Sequence, residues 1–210
     1  MIARLGQLVV LLGFAAACSS SEEPTPVAEE SAAAEAATAA VVAPAVCQPT
    51  APLAERASPY DSVMVNVGGQ QAKVCYGRPS VNGRVIFGST LVPWDTLWRT
   101  GANEPTIIHL PFAASIAGVQ LEPGSYSIYT VPGRDQWSIV LNRSTSQWGV
   151  ESQYTPEVRA QEVGRGTVAA ERTGAPVETF VITAEETPPN GANLILEWEN
   201  TRVRVPIQRV

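Results

Sequence analysis

Any chemistry in this chain must come from very few residues. The one histidine, His109, lies in the strand-like residues 107–110. A single histidine cannot build a multi-histidine metal site, and the carboxylates near it lack the His-Glu-x-x-His spacing that places ligands on one helix face. The chain also has no Gly-x-Ser-x-Gly nucleophile elbow and no phosphate-binding loop. The sequence therefore assigns no catalytic residue, no metal and no cofactor.

Two carboxylates that meet in space are the remaining route to catalysis. Glycosidases work with one such pair, and that pair leaves no fixed spacing in a sequence. Asp95 and Glu104 are the candidates here. A carbohydrate-active or other hydrolytic enzyme that uses carboxylates is therefore kept as an alternative, although the sequence favours a protein without catalytic activity.

Aromatic and arginine side chains concentrate in the middle of the chain, and Trp and Arg commonly anchor recognition surfaces. The same side chains can close the end of a β-sandwich by packing an arginine over a buried Trp. We expect a binding or assembly module for an unknown partner, an envelope protein or a glycan. An accessory subunit of a larger envelope complex is the other alternative, and it requires an exposed apolar patch. The candidate ligand-binding residues are Arg78, Trp94, Trp98, Arg99, Asn103 and Glu104.

Residues 98–104 are too polar for a core strand. We expect Arg99 to make a charge-assisted bond to Glu104 or Asp95, with its guanidinium packed on a Trp. Gly101 is expected to relieve a strained turn. If this run is a binding site instead, its side chains serve a partner and contribute little to stability.

The elements that must position these residues are strands. Past Pro59 the apolar residues alternate in short runs, without the period of a substantial helix. Residues 62–67 and 71–76 predict a hairpin, and Pro-Gly pairs at 123–124 and 132–133 predict type II turns around a strand at 125–131. We expect an all-β fold, a single antiparallel β-sandwich or flattened barrel of about eight to ten strands. The remaining predicted strands include 137–142, 177–184, 193–199 and 202–207.

The last two of these strands predict a hairpin with a two-residue turn at Asn200-Thr201. That register sets Glu199 opposite Arg202 and pairs Glu197 with Arg204 on the outer face, with apolar pairs inside. Asn-Thr forms tight turns less readily than Asn-Gly, so a longer loop is an alternative.

The first 17 residues predict a signal peptide, because a basic residue precedes a short apolar run that ends in small side chains. The stretch before Cys18 resembles a lipobox, so we expect lipid on Cys18 and a membrane anchor without a span; ordinary secretion is the alternative. Residues 18–46 are acidic and Ala-rich and predict a disordered tether. Residues 47–210 then form one domain in the bacterial cell envelope, periplasmic or surface-exposed.

The formal charge of −6 belongs mostly to the tether, since residues 47–210 carry 15 acidic and 13 basic side chains. No basic cluster follows one face, which argues against nucleic acid as a partner. With Cys18 lipidated, Cys47 and Cys75 remain as an even pair in an oxidising compartment. Alternation places Cys75 on the face opposite the apolar one, where it can bond the end of the tether; two free thiols are the alternative.

Several motifs stand in order along residues 59–208: Tyr76-Gly77-Arg78-Pro79, Ile86-Phe87-Gly88, Leu91-Val92-Pro93, Trp98-Arg99-Thr100-Gly101-Ala102-Asn103-Glu104, Leu121-Glu122-Pro123-Gly124, Gln147-Trp148-Gly149 and Leu196-Glu197-Trp198-Glu199. Together they resemble the bacterial family called domain of unknown function 2911. The resemblance implies a secreted or lipoprotein β-domain and brings no catalytic residue with it. Residues 94–97 and 154–176 match the family pattern less closely.

Overall fold

The computed structural model describes residues 45–54 and 56–210. The predicted signal peptide, Cys18 and residues 18–44 of the predicted tether lie outside the described residues. Inside them, the chain contains a 3₁₀ turn, Glu151–Gln153, and one short helix, α1, Pro156–Arg159. Neither element in this part of the chain has the length and apolar character needed to span a bilayer.

Within residues 45–54 and 56–210, nine strands account for the fold and confirm the all-β, antiparallel prediction. Their order in the sheet is β1-β2-β3-β6-β7-β8-β9-β4-β5, and the sheet does not close into a barrel. The strands are β1 Tyr60–Val67, β2 Gln70–Gly77, β3 Thr106–Leu110, β4 Ala114–Ile116, β5 Val119–Leu121, β6 Gly124–Pro132, β7 Gln136–Asn142, β8 Glu162–Thr187 and β9 Gly191–Arg209.

The long strand β8 turns the sheet into two facing layers. Its first part pairs with β7 and its later part pairs with β9, with register shifts between Arg172 and Val181. Such irregularities bend a strand and increase its twist. The later part of β8 thereby faces β2, where the ring of Tyr76 meets Phe180 edge-on at 5.7 Å between centroids. The Tyr76 hydroxyl also donates to the carbonyl of Ile182 at 3.3 Å, so the layers form a sandwich-like core.

Aromatic rings fill one end of this core. Trp98 and Trp198 stack with 5.7 Å between centroids and an interplanar angle of 15°. Phe87 packs against both of them, and Trp137 and Phe180 complete the cluster. Edge-to-face and offset pairs of this kind stabilise beyond their buried area. The tryptophans at 98, 137 and 198 are therefore core residues.

The first hairpin is confirmed, because β1 and β2 pair from Val67↔Gln70 onward. Its turn places Gly68 and Gly69 at φ +57° and +80°, which suits the right-handed twist of a hairpin. The two type II turns are wrong, since neither Gly124 nor Gly133 has a positive φ. Gly133 is needed for space instead: a Cβ there would lie 2.6 Å from the carbonyl oxygen of Gln136.

The prediction of a C-terminal hairpin is also wrong. β9 runs through Asn200 and Thr201 without turning, and both of its halves pair with the long β8. The irregularity in β9 is at Glu199, which has φ +55° and accepts backbone N–H bonds from the loop at Ile86. The charge pairs differ accordingly: Arg202 binds Glu197 at 2.6 Å, and Arg204 binds Glu171. The predicted alternation of inner and outer faces nevertheless holds along β9.

The disulfide between Cys47 and Cys75 is present, with the two Cα atoms 5.8 Å apart. Cys75 lies outside the core cluster, as the alternation predicts, yet it is completely buried. Residues 45–50 contribute to this burial because they run over the outer face of β2 and β3.

Candidate functional site

Residues 98–104 form a loop, here called the 98–104 loop, that crosses one end of the sandwich. Trp98 fixes its start by pairing its backbone with Thr130, with N–O distances of 2.7 and 2.8 Å. The backbone then takes φ values of +58° at Thr100, +152° at Gly101 and +67° at Asn103. Positive φ is rare for a β-branched residue such as Thr and marks backbone that the surrounding structure must hold in place.

Two close contacts hold this backbone. The Thr106 hydroxyl donates to the carbonyl of Thr100 at 2.5 Å, and Thr100 in turn is bonded to the hydroxyl of Thr130. A Cβ on Gly101 would lie 2.8 Å from the carbonyl oxygen of Gly77. The expectation that Gly101 relieves a strained turn agrees with this geometry.

Glu104 ends the loop in a buried ion pair that the sequence did not indicate. Its carboxylate receives both terminal nitrogens of Arg56, at 2.7 and 2.9 Å, and the backbone N–H of Thr50 at 2.9 Å. The side chains of Arg56 and Glu104 are only 7% and 1% exposed. Burial alone would raise the pKa of Glu104, but the hydrogen bonds from Arg56 and the backbone outweigh burial and lower it.

Arg99 therefore lacks the partner expected for it, and the predicted bond to Glu104 or Asp95 is wrong. Among the described residues no carboxylate lies within ion-pair distance of its guanidinium. Its Nε is buried and without a hydrogen-bond partner. Burial lowers the pKa of Arg99, and the nearby Tyr129 hydroxyl opposes that shift only in part. The stem of Arg99 packs on Gly149, where a Cβ would come within 2.4 Å of the arginine Cδ.

A cavity of about 290 Å³ opens beside Arg99, between the end of the sandwich and the chain just before β1. We refer to it as the Arg99 cavity. Trp98, Trp198, Leu91 and Val92 give it apolar walls. Its polar lining includes Ser58, Ser80, Asn82, Arg84, Arg99 and Asn103.

The buried polar atoms without partners on these lining residues are all donors. They are the Nε of Arg99, the side-chain nitrogen of Asn103 and the ring nitrogen of Trp198. Buried donors are nearly always satisfied in folded proteins, because an unpaired one keeps the full cost of its lost hydration. N–H groups of this kind donate hydrogen bonds, so the oxygen atoms of a small bound molecule are the acceptors that would suit them.

Arg84 lies at the rim of the cavity and is not among the candidate residues predicted from the sequence. This arginine is exposed, and two of its nitrogens donate to the backbone carbonyls of Val81 and Ser80 at 2.9 and 2.6 Å. Those bonds hold the guanidinium at the mouth. The one signal in the sequence is that Arg84 follows Val81 by three residues, a spacing at which a side chain can reach a backbone carbonyl.

Three of the six candidate residues line the cavity: Trp98, Arg99 and Asn103. Arg78 does not, because it binds Asp61 at 3.0 Å and the carbonyl of Phe180 at 3.3 Å, which ties the two layers together. Glu104 is enclosed with Arg56, and Trp94 stacks on the core at Phe87.

The expected stacking of an arginine on a Trp occurs with a different pair. Arg134 lies over the ring of Trp94, 5.3 Å from its centroid. Arg99 has no such contact among the described residues. The prediction that Arg99 packs on a Trp is therefore wrong.

The groups that could support catalysis are poorly placed for it. Glu104 is only 1% exposed and both of its oxygens are bonded to Arg56, so it is unsuited to act with Asp95 on a substrate. His109 contacts the Ser125 hydroxyl at 2.7 Å, directly across the β3–β6 ladder. No carboxylate of the described residues is bonded to that histidine, and the same part of the chain contains no cluster of metal-binding side chains.

Comparison with known proteins places the chain in a family. A family model described as "Protein of unknown function (DUF2911)" matches residues 58–207. No curated protein and no solved structure matches the chain. The matched range contains the whole 98–104 loop and every strand of the described residues except the last two residues of β9. The chain therefore belongs to the domain of unknown function 2911 family.

Proposed function

We propose that this protein is a lipid-anchored binding module of the bacterial cell envelope, and that it holds a small ligand in the Arg99 cavity. The observation that carries the proposal is the state of Arg99. It is a partly buried cation with an unpaired Nε, and it lines a cavity of about 290 Å³. Leaving such a group without a partner costs stability, and a bound ligand would supply the missing partner.

The backbone around the cavity supports the same proposal. Thr100 and Asn103 both hold positive φ values on the 98–104 loop. Residues in sparsely populated backbone regions cluster at ligand-binding sites because a rigid surrounding structure must hold them. The ion pair of Glu104 with Arg56 gives the loop that support.

The proposed location is supported by the N-terminal sequence and the disulfide. Residues 1–17 have the composition of a signal peptide, and small side chains precede Cys18. Structural disulfides such as Cys47–Cys75 persist mainly in oxidising compartments. A diacylglycerol thioether plus an N-acyl chain on Cys18 exceeds the two lipid signals that stable anchoring requires.

Native mass spectrometry tests the binding proposal. The protein is extracted from its own membranes in a mild detergent and sprayed without denaturation. We expect a bound mass on the wild type, its loss in Arg99→Met, and its retention in Arg172→Met, a matched change at an exposed arginine. Wild-type protein that carries no bound mass, or one that survives Arg99→Met unchanged, would contradict the proposal.

Detergent-phase partition tests the anchor separately. We expect wild-type protein in the detergent phase and Cys18→Ser protein in the aqueous phase. Wild-type protein in the aqueous phase would remove the anchor from the proposal while leaving the cavity untouched.

A further inference from the structure

The charges around the Arg99 cavity indicate the chemical class of its ligand, provided that the proposed binding function holds. Both charged residues among the described lining residues are arginines, Arg84 and Arg99, and none of that lining is Asp or Glu. The carboxylate of Glu178 contacts one lining residue, Asn82, whose backbone N–H it accepts at 2.8 Å. An anion is therefore the ligand whose charge matches the cavity.

The buried N–H donors without partners also indicate an anionic ligand. Arg99, Asn103 and Trp198 each leave a buried N–H group without an acceptor. Oxygen atoms that accept hydrogen bonds are the ligand groups that best match a lining that carries such donors. Carboxylate oxygens do this, and the planar fork of an arginine matches their geometry.

Only one of the two cations, Arg99, is partly buried, and this favours one negative charge over two. Arg99 is the inner cation, whereas Arg84 lies at the exposed rim and two of its nitrogens bind the carbonyls of Val81 and Ser80. A phosphate monoester carries about −1.5 to −2 charges at neutral pH. One inner arginine balances a carboxylate more closely than such a phosphate.

The apolar lining and the volume of the cavity indicate the shape and polarity of the rest of the ligand. Trp98, Trp198 and Val92 are buried apolar side chains that line the cavity, and Leu91 lies at its exposed edge. A volume of about 290 Å³ is at the small end of ligand sites in proteins. The space suits a short apolar or flat body attached to the charged group.

We infer that the Arg99 cavity binds a small monocarboxylate, with the carboxylate on Arg99 and Asn103 and the apolar body against the tryptophans. This inference rests on the proposed binding function and adds the chemical class of the ligand. It makes Arg99 the residue that selects an anion over a neutral molecule of the same shape.

Calorimetric titration with matched probes tests it on the purified mature protein. The probes are benzoate, its neutral isostere benzamide, and phenyl phosphate. We expect benzoate to bind at least about tenfold more tightly than either of the other two, because a charge-assisted pair adds 1.4 kcal/mol or more. Arg99→Met should remove that preference, and Arg99→Lys should keep part of it. Arg172→Met should titrate like the wild type, and melting curves confirm that each variant is folded.

The outcomes separate the two proposals. Benzamide binding as tightly as benzoate, with both lost in Arg99→Met, would overturn the carboxylate and keep the binding module. Tighter binding of phenyl phosphate would do the same. No binding of benzoate while the native spectrum shows a mass that depends on Arg99 would also overturn the carboxylate. No binding of any probe, with a bare native spectrum, would overturn both.

Discussion

Arg56 binds the end of the 98–104 loop, and Arg99 is part of that loop. The two arginines differ in whether they have an ion-pair partner. Arg56 meets the two oxygens of Glu104 and is almost fully enclosed. Arg99 points to no carboxylate of the described residues and leaves its Nε unpaired. The first arginine joins the chain before β1 to the loop. The second carries a charge that has no ion-pair partner among the described residues.

The difference between the two arginines separates a structural role from a binding role. A buried ion pair becomes very costly to break, because removal of one partner leaves the other charged and desolvated. A partly buried cation without an ion-pair partner leaves no buried carboxylate unpaired when it is removed. Substitutions at the two positions should therefore have opposite effects on stability and on ligand binding.

The largest loss of stability is expected from breaking the ion pair. Arg56→Met leaves the Glu104 carboxylate buried and unpaired, and should lower the free energy of unfolding by about 3 to 5 kcal/mol. Urea denaturation measures the change. The double variant Arg56→Met/Glu104→Leu is the control, because it removes both charges and should recover much of the loss. A loss below about 1 kcal/mol for the single variant would show that the pair is not structural.

Removal of the disulfide is expected to have the next largest effect. The bond joins residues 28 positions apart, so Cys47→Ser/Cys75→Ser should lower unfolding free energy by about 3 to 4 kcal/mol in the chain-entropy model. The same urea assay, with and without reductant, measures it. Reductant should destabilise the wild type and leave the double variant unchanged. Equal stability of wild type and variant under oxidising conditions would contradict this.

Acid should lower the free energy of unfolding by protonating Glu104. Its pKa in the folded protein is lowered below the ordinary 4.5, so its contribution is complete above that value and is lost as pH falls through the folded pKa. Stability of the wild type should therefore fall more steeply between pH 6 and pH 3 than that of Glu104→Gln. Other carboxylates such as Glu162 are common to both proteins, so the difference in slope isolates Glu104. Parallel pH profiles would be the contrary result.

The smallest effect on stability is expected at Arg99. Arg99→Met strands no carboxylate among the described residues, and Met retains most of the stem that packs on Gly149. The unfolding free energy should stay within about 0.5 kcal/mol of wild type or rise slightly. Arg172→Met is the matched control at an exposed position. A loss of more than about 2 kcal/mol would reveal a structural partner of Arg99.

Local patterns predicted much of the fold, because alternation and glycine turns act over a few residues. The β1–β2 hairpin was found this way. The strand β6 was also predicted, although the type II turns expected at its ends are wrong. The Cys47–Cys75 bond was found because only two cysteines remained once Cys18 was assigned to lipid. The prediction of a hairpin around Asn200 is wrong because the same alternation fits either a turn or one long strand. Pairing with β8, which is distant in sequence, decides between the two.

The site was less predictable, because its contacts join distant parts of the chain. Arg56 and Glu104 are 48 residues apart, and no local pattern connects them. The loop was singled out by its Trp and Arg content, and that choice found Trp98, Arg99 and Asn103 on the cavity. The prediction that Glu104 pairs with Arg99 is wrong because proximity in sequence does not determine which buried charges form an ion pair.

The most direct test of the account follows the Nε–H groups of Arg99 and Arg56 by NMR during titration with benzoate. Arg99→Lys and Arg56→Lys assign the two resonances. We predict that the Arg99 signal shifts and saturates with benzoate, that the Arg56 signal stays in place, and that benzamide moves neither. An Arg99 signal that does not respond to benzoate, or that moves equally with benzamide, would contradict the assignment of Arg99 to a bound carboxylate.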